Sequence, residues 1–171
     1  VSTDDKEIAN VALNAGAEVP ALRSNHLSGD KVPIIKLVFE MIDEDKSLED
    51  VMLLQPTSPL RNASDIKEII RLRENNIAKS AVSVVELRHH PYSAFHMKDL
   101  FLKKYFKSKN LLPRQLMSKS YSINGAIYLA TRDYIIDNGE FYGANTLGYI
   151  MPQERSVDID NYIDIEWAEF L

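Results

Sequence analysis

Val51-Met52-Leu53-Leu54-Gln55-Pro56-Thr57-Ser58-Pro59-Leu60-Arg61 is the stretch on which the reading of the fold turns. The apolar run at its front reads as a strand buried on both faces, as strands are in sheets covered by helices. Gln55 then falls at the carboxyl end of that strand, where open parallel sheets keep their ligands. Pro56 and Pro59 stop either a strand or a helix from continuing. The product is a stiff loop carrying Gln55, Thr57, Ser58 and Arg61, three neutral hydrogen-bonding side chains and one fixed cation with five donors. Such a loop can hold an oxygen-rich anionic molecule. Taken in isolation, the Pro-Thr-Ser-Pro turn is also an ordinary strand-to-helix connection, with Asn62 as the cap of the next helix.

Outward from this stretch the pattern alternates. Upstream, Val1-Ser2-Thr3 reads as the tail of a strand. Asp4 or Asp5 can cap a helix with Ile8, Val11, Ala12 and Ala15 on one face, ended by Gly16. Residues 17–22 read as a short strand, and 33–43 as a helix with Leu37, Val38, Met41 and Ile42 inward. Downstream, Ile66, Ile69 and Ile70 mark a helix over 63–75, and 81–87 form a β-branched strand. Strands and helices alternating at this pitch predict a single Rossmann-like α/β domain over 1–171, its sheet mostly parallel with helices on both faces.

Residues 88–122 break the rhythm. They hold His89, His90, Pro91, Tyr92 and His96, then the basic run from Lys103 to Lys109, with no clean period. Three histidines raise the question of a metal site, but the carboxylates that would orient such ligands are scarce nearby. The favoured expectation is a protruding arm that packs on a second copy of the chain. Order returns at 123–130, a strand with Gly125 where backbone or ligand must come close. A helix over 132–138, the Phe141-Tyr142-Gly143 loop and a strand over 147–151 follow.

With 171 residues and 45% hydrophobic content, the chain suits one domain with a sizeable core. No run of about 18 apolar residues is present, so no membrane span is expected. No signal peptide is evident, and the zero cysteines accord with a soluble cytoplasmic protein while excluding disulfides and thiolate chemistry. A net charge of −5 argues against nucleic acid as a partner. It does not preclude a local anion site with a metal as intermediary.

Near the end, Ser156-Val157-Asp158-Ile159-Asp160 alternates polar and apolar. Extended, it places both carboxylates on one side, roughly 6 to 7 Å apart, close enough to share one hard cation. Magnesium commonly takes one or two carboxylates together with substrate phosphates. An alternative stands beside this on spacing alone: Asp158 as a surface residue, Asp160 leading into a final helix capped by Asn161 and Asp164.

Together the strings Gln55 to Arg61, Asn124-Gly125-Ala126-Ile127-Tyr128 and Ser156 to Asp160 resemble the signature of the acylneuraminate cytidylyltransferases, the CMP-sialic acid synthetases. The likeness spans nearly the whole sequence. It implies joining CTP to an acidic nine-carbon sugar of the nonulosonate class, with release of pyrophosphate and with Mg2+ as cofactor. It implies Asp158 and Asp160 as metal-binding, catalytic carboxylates. Gln55, Thr57 and Asn124 are implied as sugar contacts with Tyr128 behind them, and Phe141 and Tyr142 as shelter for the sugar's acyl group. Arg23 resembles a cytidine contact. Arg114 matches an arginine on a homodimerisation arm that approaches the neighbouring subunit's sugar carboxylate.

Two departures accompany the likeness. Lys31-Val32-Pro33-Ile34-Ile35 stands where many relatives carry small hydroxyl residues, Ile34 replacing a serine that contacts the nucleotide in some of them. The family also begins with a strand and a Gly-rich, basic loop for the triphosphate, and no counterpart precedes Val1. The expectation is therefore a longer protein of which this is the later part, inactive alone for want of those donors. The competing expectation is a noncatalytic sugar-nucleotide-binding module.

Overall fold

A computed structural model describes residues 1–29, 31–106 and 113–171, with the Arg114 side chain excluded. Asp30 and residues 107–109 of the basic run lie outside the described residues. The chain divides into two compact units, Val1–Leu48 and Glu49–Leu171.

In the first unit, α1 (Lys6–Asn14) starts at Asp5, whose carboxylate accepts from the Glu7 and Ile8 amides at 2.7 and 3.0 Å. Gly16, at φ +85°, follows its end. The inward face differs from the expected stripe. Ala9 is buried while Ile8 and Val11 stand exposed, because the buried side falls on the small residues one position along. Residues 17–22 form no strand; Arg23 N donates to Thr3 O at 2.8 Å, too sparse a pairing for a ladder. Helix α2 (Ile34–Glu44) buries Val38 and Ile42 as the period predicts, but leaves Met41 half exposed.

The second unit is built on a four-stranded sheet of β1 (Asp50–Leu53), β2 (Ser80–Glu86), β5 (Tyr121–Thr131) and β6 (Leu147–Ile150), in the order β1-β5-β2-β6. The short strands β3 (Phe95–Lys98) and β4 (Phe101–Lys104) pair separately as a hairpin. The expected mostly parallel sheet is corrected here. β5 runs antiparallel to both β1 and β2, and only β2 and β6 pair in parallel. β1 and β2 do point the same way, as a strand-helix-strand unit requires. The chain then passes through the hairpin region and returns reversed, so β5 enters between them. Among the described residues β1 therefore lies at one end of the strand order.

Helix α3 (Ala63–Asn75) has the predicted bounds and the predicted cap. Its Ile69 packs with Ala81, Ala126, Ile127, Leu129 and Met151 to form the core over the sheet. Helix α4 (Arg132–Asn138) is capped by Thr131 and ends at Gly139, and α5 (Tyr162–Phe170) closes the chain. No helix among the described residues is long and apolar enough to cross a membrane.

Candidate active site

The site is organised around an irregularity in β5. Val82 pairs with Tyr128 but Val84 pairs with Ile123, so residues 124–127 face Ser83 alone. A bulge of this size leaves ladder groups unpaired and re-aims the residues within it. Ser83 takes over the missing bonds: its hydroxyl accepts from Ile127 N at 2.8 Å and reaches the Asn124 side-chain oxygen at 2.6 Å. Gly125 adopts φ +77° at the crest, a left-handed conformation that glycine takes freely.

Three side chains converge on that crest. A Cβ placed on Gly125 would lie 2.9 Å from Gln55 Oε1, 3.4 Å from Asp158 Oδ2 and 3.5 Å from Ser58 Oγ. The proline-stiffened loop and the acidic segment near the tail thus open on one place. Their backbones are also tied directly, Ile159 N donating to Thr57 O at 2.8 Å. Val157 is buried while Asp158 and Asp160 face outward, the alternation expected of an extended segment. Asp158 borders an open cleft of about 340 Å3, which Ser156, Val157, Asp164 and Trp167 also line.

An aromatic group stands near Asp158. Tyr128 lies 5.9 Å from the Phe141 ring and 6.3 Å from the Tyr142 ring. Phe141 is buried and Tyr142 exposed, so the pair presents a buried wall and an accessible edge. Burial pushes the Tyr128 hydroxyl above its usual range, with the neighbouring Tyr142 and Asp158 adding to the effect. It stays a neutral donor at ordinary pH.

Other residues expected at the site have different immediate partners. Arg61 turns its Nη1 to two backbone carbonyls, Ala126 O at 2.7 Å and Gln55 O at 3.2 Å, and so clasps the loop to the bulge. The Asn124 amide is buried and donates to Ser156 Oγ at 2.9 Å and towards Met151 Sδ at 3.4 Å. Thr57 is exposed. Asp160 N donates to Asp164 Oδ2, which also takes Asn161 N, so the α5 cap forms directly after the acidic pair. Arg23 belongs to the first unit, where its Nη2 donates to Ser2 O at 2.6 Å. Arg114 opens a short 3-10 turn, Arg114–Leu116, and its side chain lies outside the described residues. His90 Nδ1 accepts from Tyr92 N, and His96 sits edge-on to Tyr105.

Ser83, Asp65 and Arg155 were not apparent as parts of the site. A serine amid Ala81-Val82-Val84-Val85 is the one local signal for the first. Asp65 lies three residues after the capping Asn62, and Arg155 carries no local signal at all.

Residues 1–137 match the family model described as cytidylyltransferase, and the chain belongs to that family. It is 33% identical over 178 residues to post-translational flagellin modification protein B of Campylobacter coli, spanning all of this chain and 75% of the relative. It is 34% identical over 182 residues to the CMP-N,N'-diacetyllegionaminic acid synthase of Legionella pneumophila, spanning 98% of this chain and 74% of that protein. Among solved structures, CMP:2-keto-3-deoxy-manno-octonic acid synthetase complexed with CTP superposes with a TM-score of 0.65 at 12% identity. That match covers all of this chain and 80% of the other, and the likeness is one of fold.

Proposed function

We propose that this protein transfers the cytidylyl group of CTP to an acidic nonulosonate sugar, giving a CMP-sugar and pyrophosphate. The observation that carries the reading is the convergence of Gln55, Ser58 and Asp158 over Gly125 in a member of the cytidylyltransferase family. The name of the Legionella relative supports the sugar class. In the reaction the sugar's anomeric hydroxyl attacks the α-phosphorus of CTP in line. The bond to the bridging oxygen breaks, pyrophosphate leaves with its electron pair, and the hydroxyl proton is lost to solvent. Positioning and electrostatics supply most of the catalysis in such a transfer.

Gln55 offers an amide to the sugar hydroxyls, with Thr57 and Ser58 beside it, while Tyr128, Phe141 and Tyr142 take the acyl group against ring faces. Arg61 and Asn124 serve the same sugar site through the loop and bulge they hold. Arg23 contacts the cytidine. Asp158 and Asp160 are the residues that would hold Mg2+. The donor set fits this ion: Asp158 and Gln55 present hard oxygens over Gly125. Magnesium prefers a few carboxylates with waters and substrate phosphates over an all-protein cage. Bound there, the ion would neutralise charge on the phosphates.

The protein acts as a homodimer through the arm of residues 88–122, and Arg114 is the residue assigned to the partner's sugar carboxylate. Support comes from the β3–β4 hairpin, every residue of which is exposed, Phe101 at 74% and the tip residue Leu100 at 89%. Contiguous exposed apolar surface of this kind marks contact sites. A cytoplasmic setting accords with the lack of cysteine.

Pyrophosphate release from CTP, Mg2+ and a nonulosonate sugar by the full-length protein tests the reaction. We expect release with CTP and not with UTP, abolished by Asp158→Ala. Binding of the sugar and CTP without turnover would replace the enzyme reading with a noncatalytic module.

A further inference from the structure

One fully buried charge has no part in the chemistry above. Asp65, at 0% exposure in the first turn of α3, has all four acceptor positions filled. Oδ1 accepts from Arg155 Nη2 at 2.9 Å and from the Tyr149 hydroxyl at 3.1 Å. Oδ2 accepts from Arg155 Nε at 3.1 Å and from Asn62 N at 3.0 Å. The guanidinium thus meets the carboxylate through two parallel bonds, a geometry that fixes direction as well as distance.

An ion pair with one partner buried, as Asp65 is while Arg155 stays 32% exposed, is a poor source of stability, because desolvating the carboxylate offsets much of the attraction and apolar replacements often do as well. What the pair does supply is orientation. Arg155 ends the turn Gln153–Arg155, three residues before Asp158, in a segment that belongs to no strand or helix from there to α5. The turn is also held to β2 and the residues after it, Gln153 Nε2 donating to Glu86 O at 3.2 Å and Gln153 Oε1 accepting from Arg88 Nε at 2.9 Å. The segment beyond it is held by Ser156 Oγ to Pro152 O and Asn124 Nδ2, Ile159 N to Thr57 O, and the buried Val157. Of these ties, the Asp65–Arg155 pair is the one that reaches α3. Asp65, for its part, follows directly on the loop that presents Gln55, through the cap at Asn62.

We propose that the Asp65–Arg155 pair is the positioning element of the site, locking the segment that carries Asp158 to the start of α3 so that its carboxylate stands over Gly125 beside Gln55. Asp65 and Arg155 touch neither substrate nor metal; they act through Asp158. The inference rests on the reading that Asp158 serves the metal and the phosphates.

Arg155→Lys keeps the charge but cannot span both carboxylate oxygens, and the double variant Asp65→Leu/Arg155→Met removes the pair without leaving a lone buried charge. Both are made in the full-length protein and assayed below the onset of melting for Mn2+ binding by calorimetry and for steady-state kinetics. Removal of residues that orient metal ligands typically costs 10- to 100-fold in affinity or rate. The expected result is therefore Mn2+ binding weaker by about 10-fold or more, with a fall in kcat of similar size and little change in KM for the sugar. Wild-type Mn2+ affinity and kcat in Arg155→Lys, whatever its melting temperature, would overturn the proposal, and that variant decides should the double variant misfold. Asp158→Ala, run alongside, separates the two readings. Loss of Mn2+ binding there with none in Arg155→Lys removes the positioning role alone. Undiminished binding and turnover in Asp158→Ala removes the reading of the site, and the positioning role with it.

Discussion

At the scale of single residues, Gly125 is where backbone conformation and chemistry meet. A side chain there is disfavoured by φ +77° and would press on Gln55 Oε1 at 2.9 Å. Gly125→Ala is expected to cost about 1–2 kcal/mol of stability from the left-handed backbone. The loss of kcat/KM should be greater than that energy explains, because Gln55 must shift from its place beside Asp158. Denaturant titration beside steady-state kinetics checks the split, and an unaltered kcat/KM would separate Gly125 from the chemistry. Gln55 and Asp158 were legible because each sits in a short string whose residue types declare a use. Ser83 and Arg155 were not, because their partners are distant: Ser83 meets Asn124 41 positions away, and Arg155 meets Asp65 90 positions away. No local window contains either pair, so only the folded chain brings them into view.

At the scale of elements, local chemistry predicted helices well and strand direction poorly. The bounds of α3 and α4 follow from Asn62, Thr131 and Gly139, whose capping is decided within a few residues. The antiparallel course of β5 is decided by how the chain returns from the hairpin, which hydrophobic period does not encode. The end of α3 carries an unusual residue: Ile77 takes φ 51° while 93% exposed, just past the C-terminus. A β-branched side chain gains nothing there and bears the left-handed strain. Ile77→Gly should raise stability by about 1 kcal/mol, read as a higher urea midpoint at unchanged slope. At the start of α3, burial pushes the Asp65 carboxyl up, but Arg155, the Asn62 amide and Tyr149 outweigh it and hold the group below the usual carboxylate range. Its folded-state value is thus lower than its unfolded one, so its contribution is complete above about pH 4 and is lost as pH falls through the depressed value. Urea midpoints measured from pH 6 downward should fall in acid, and less steeply in Asp65→Asn.

At the scale of the whole molecule, two questions lend themselves to direct measurement: how many copies work together, and whether the loop and the acidic segment serve one substrate. The hairpin answers the first if it pairs two chains, since charges at Phe101 and Leu102 would then be buried without partners. Phe101→Glu with Leu102→Glu is expected to convert a dimer to a monomer in sedimentation velocity while the far-ultraviolet spectrum holds. A dimer that survives would place the interface elsewhere. The second question bears on everything proposed for this protein. An anomalous-difference map at the manganese edge, from crystals of the full-length protein grown with CTP and Mn2+, locates the ion without reference to kinetics. The expected peak lies against the Asp158 and Asp160 carboxylates, on the Gly125 side that Gln55 shares. A well-occupied peak elsewhere with those two carboxylates bare would contradict that placement.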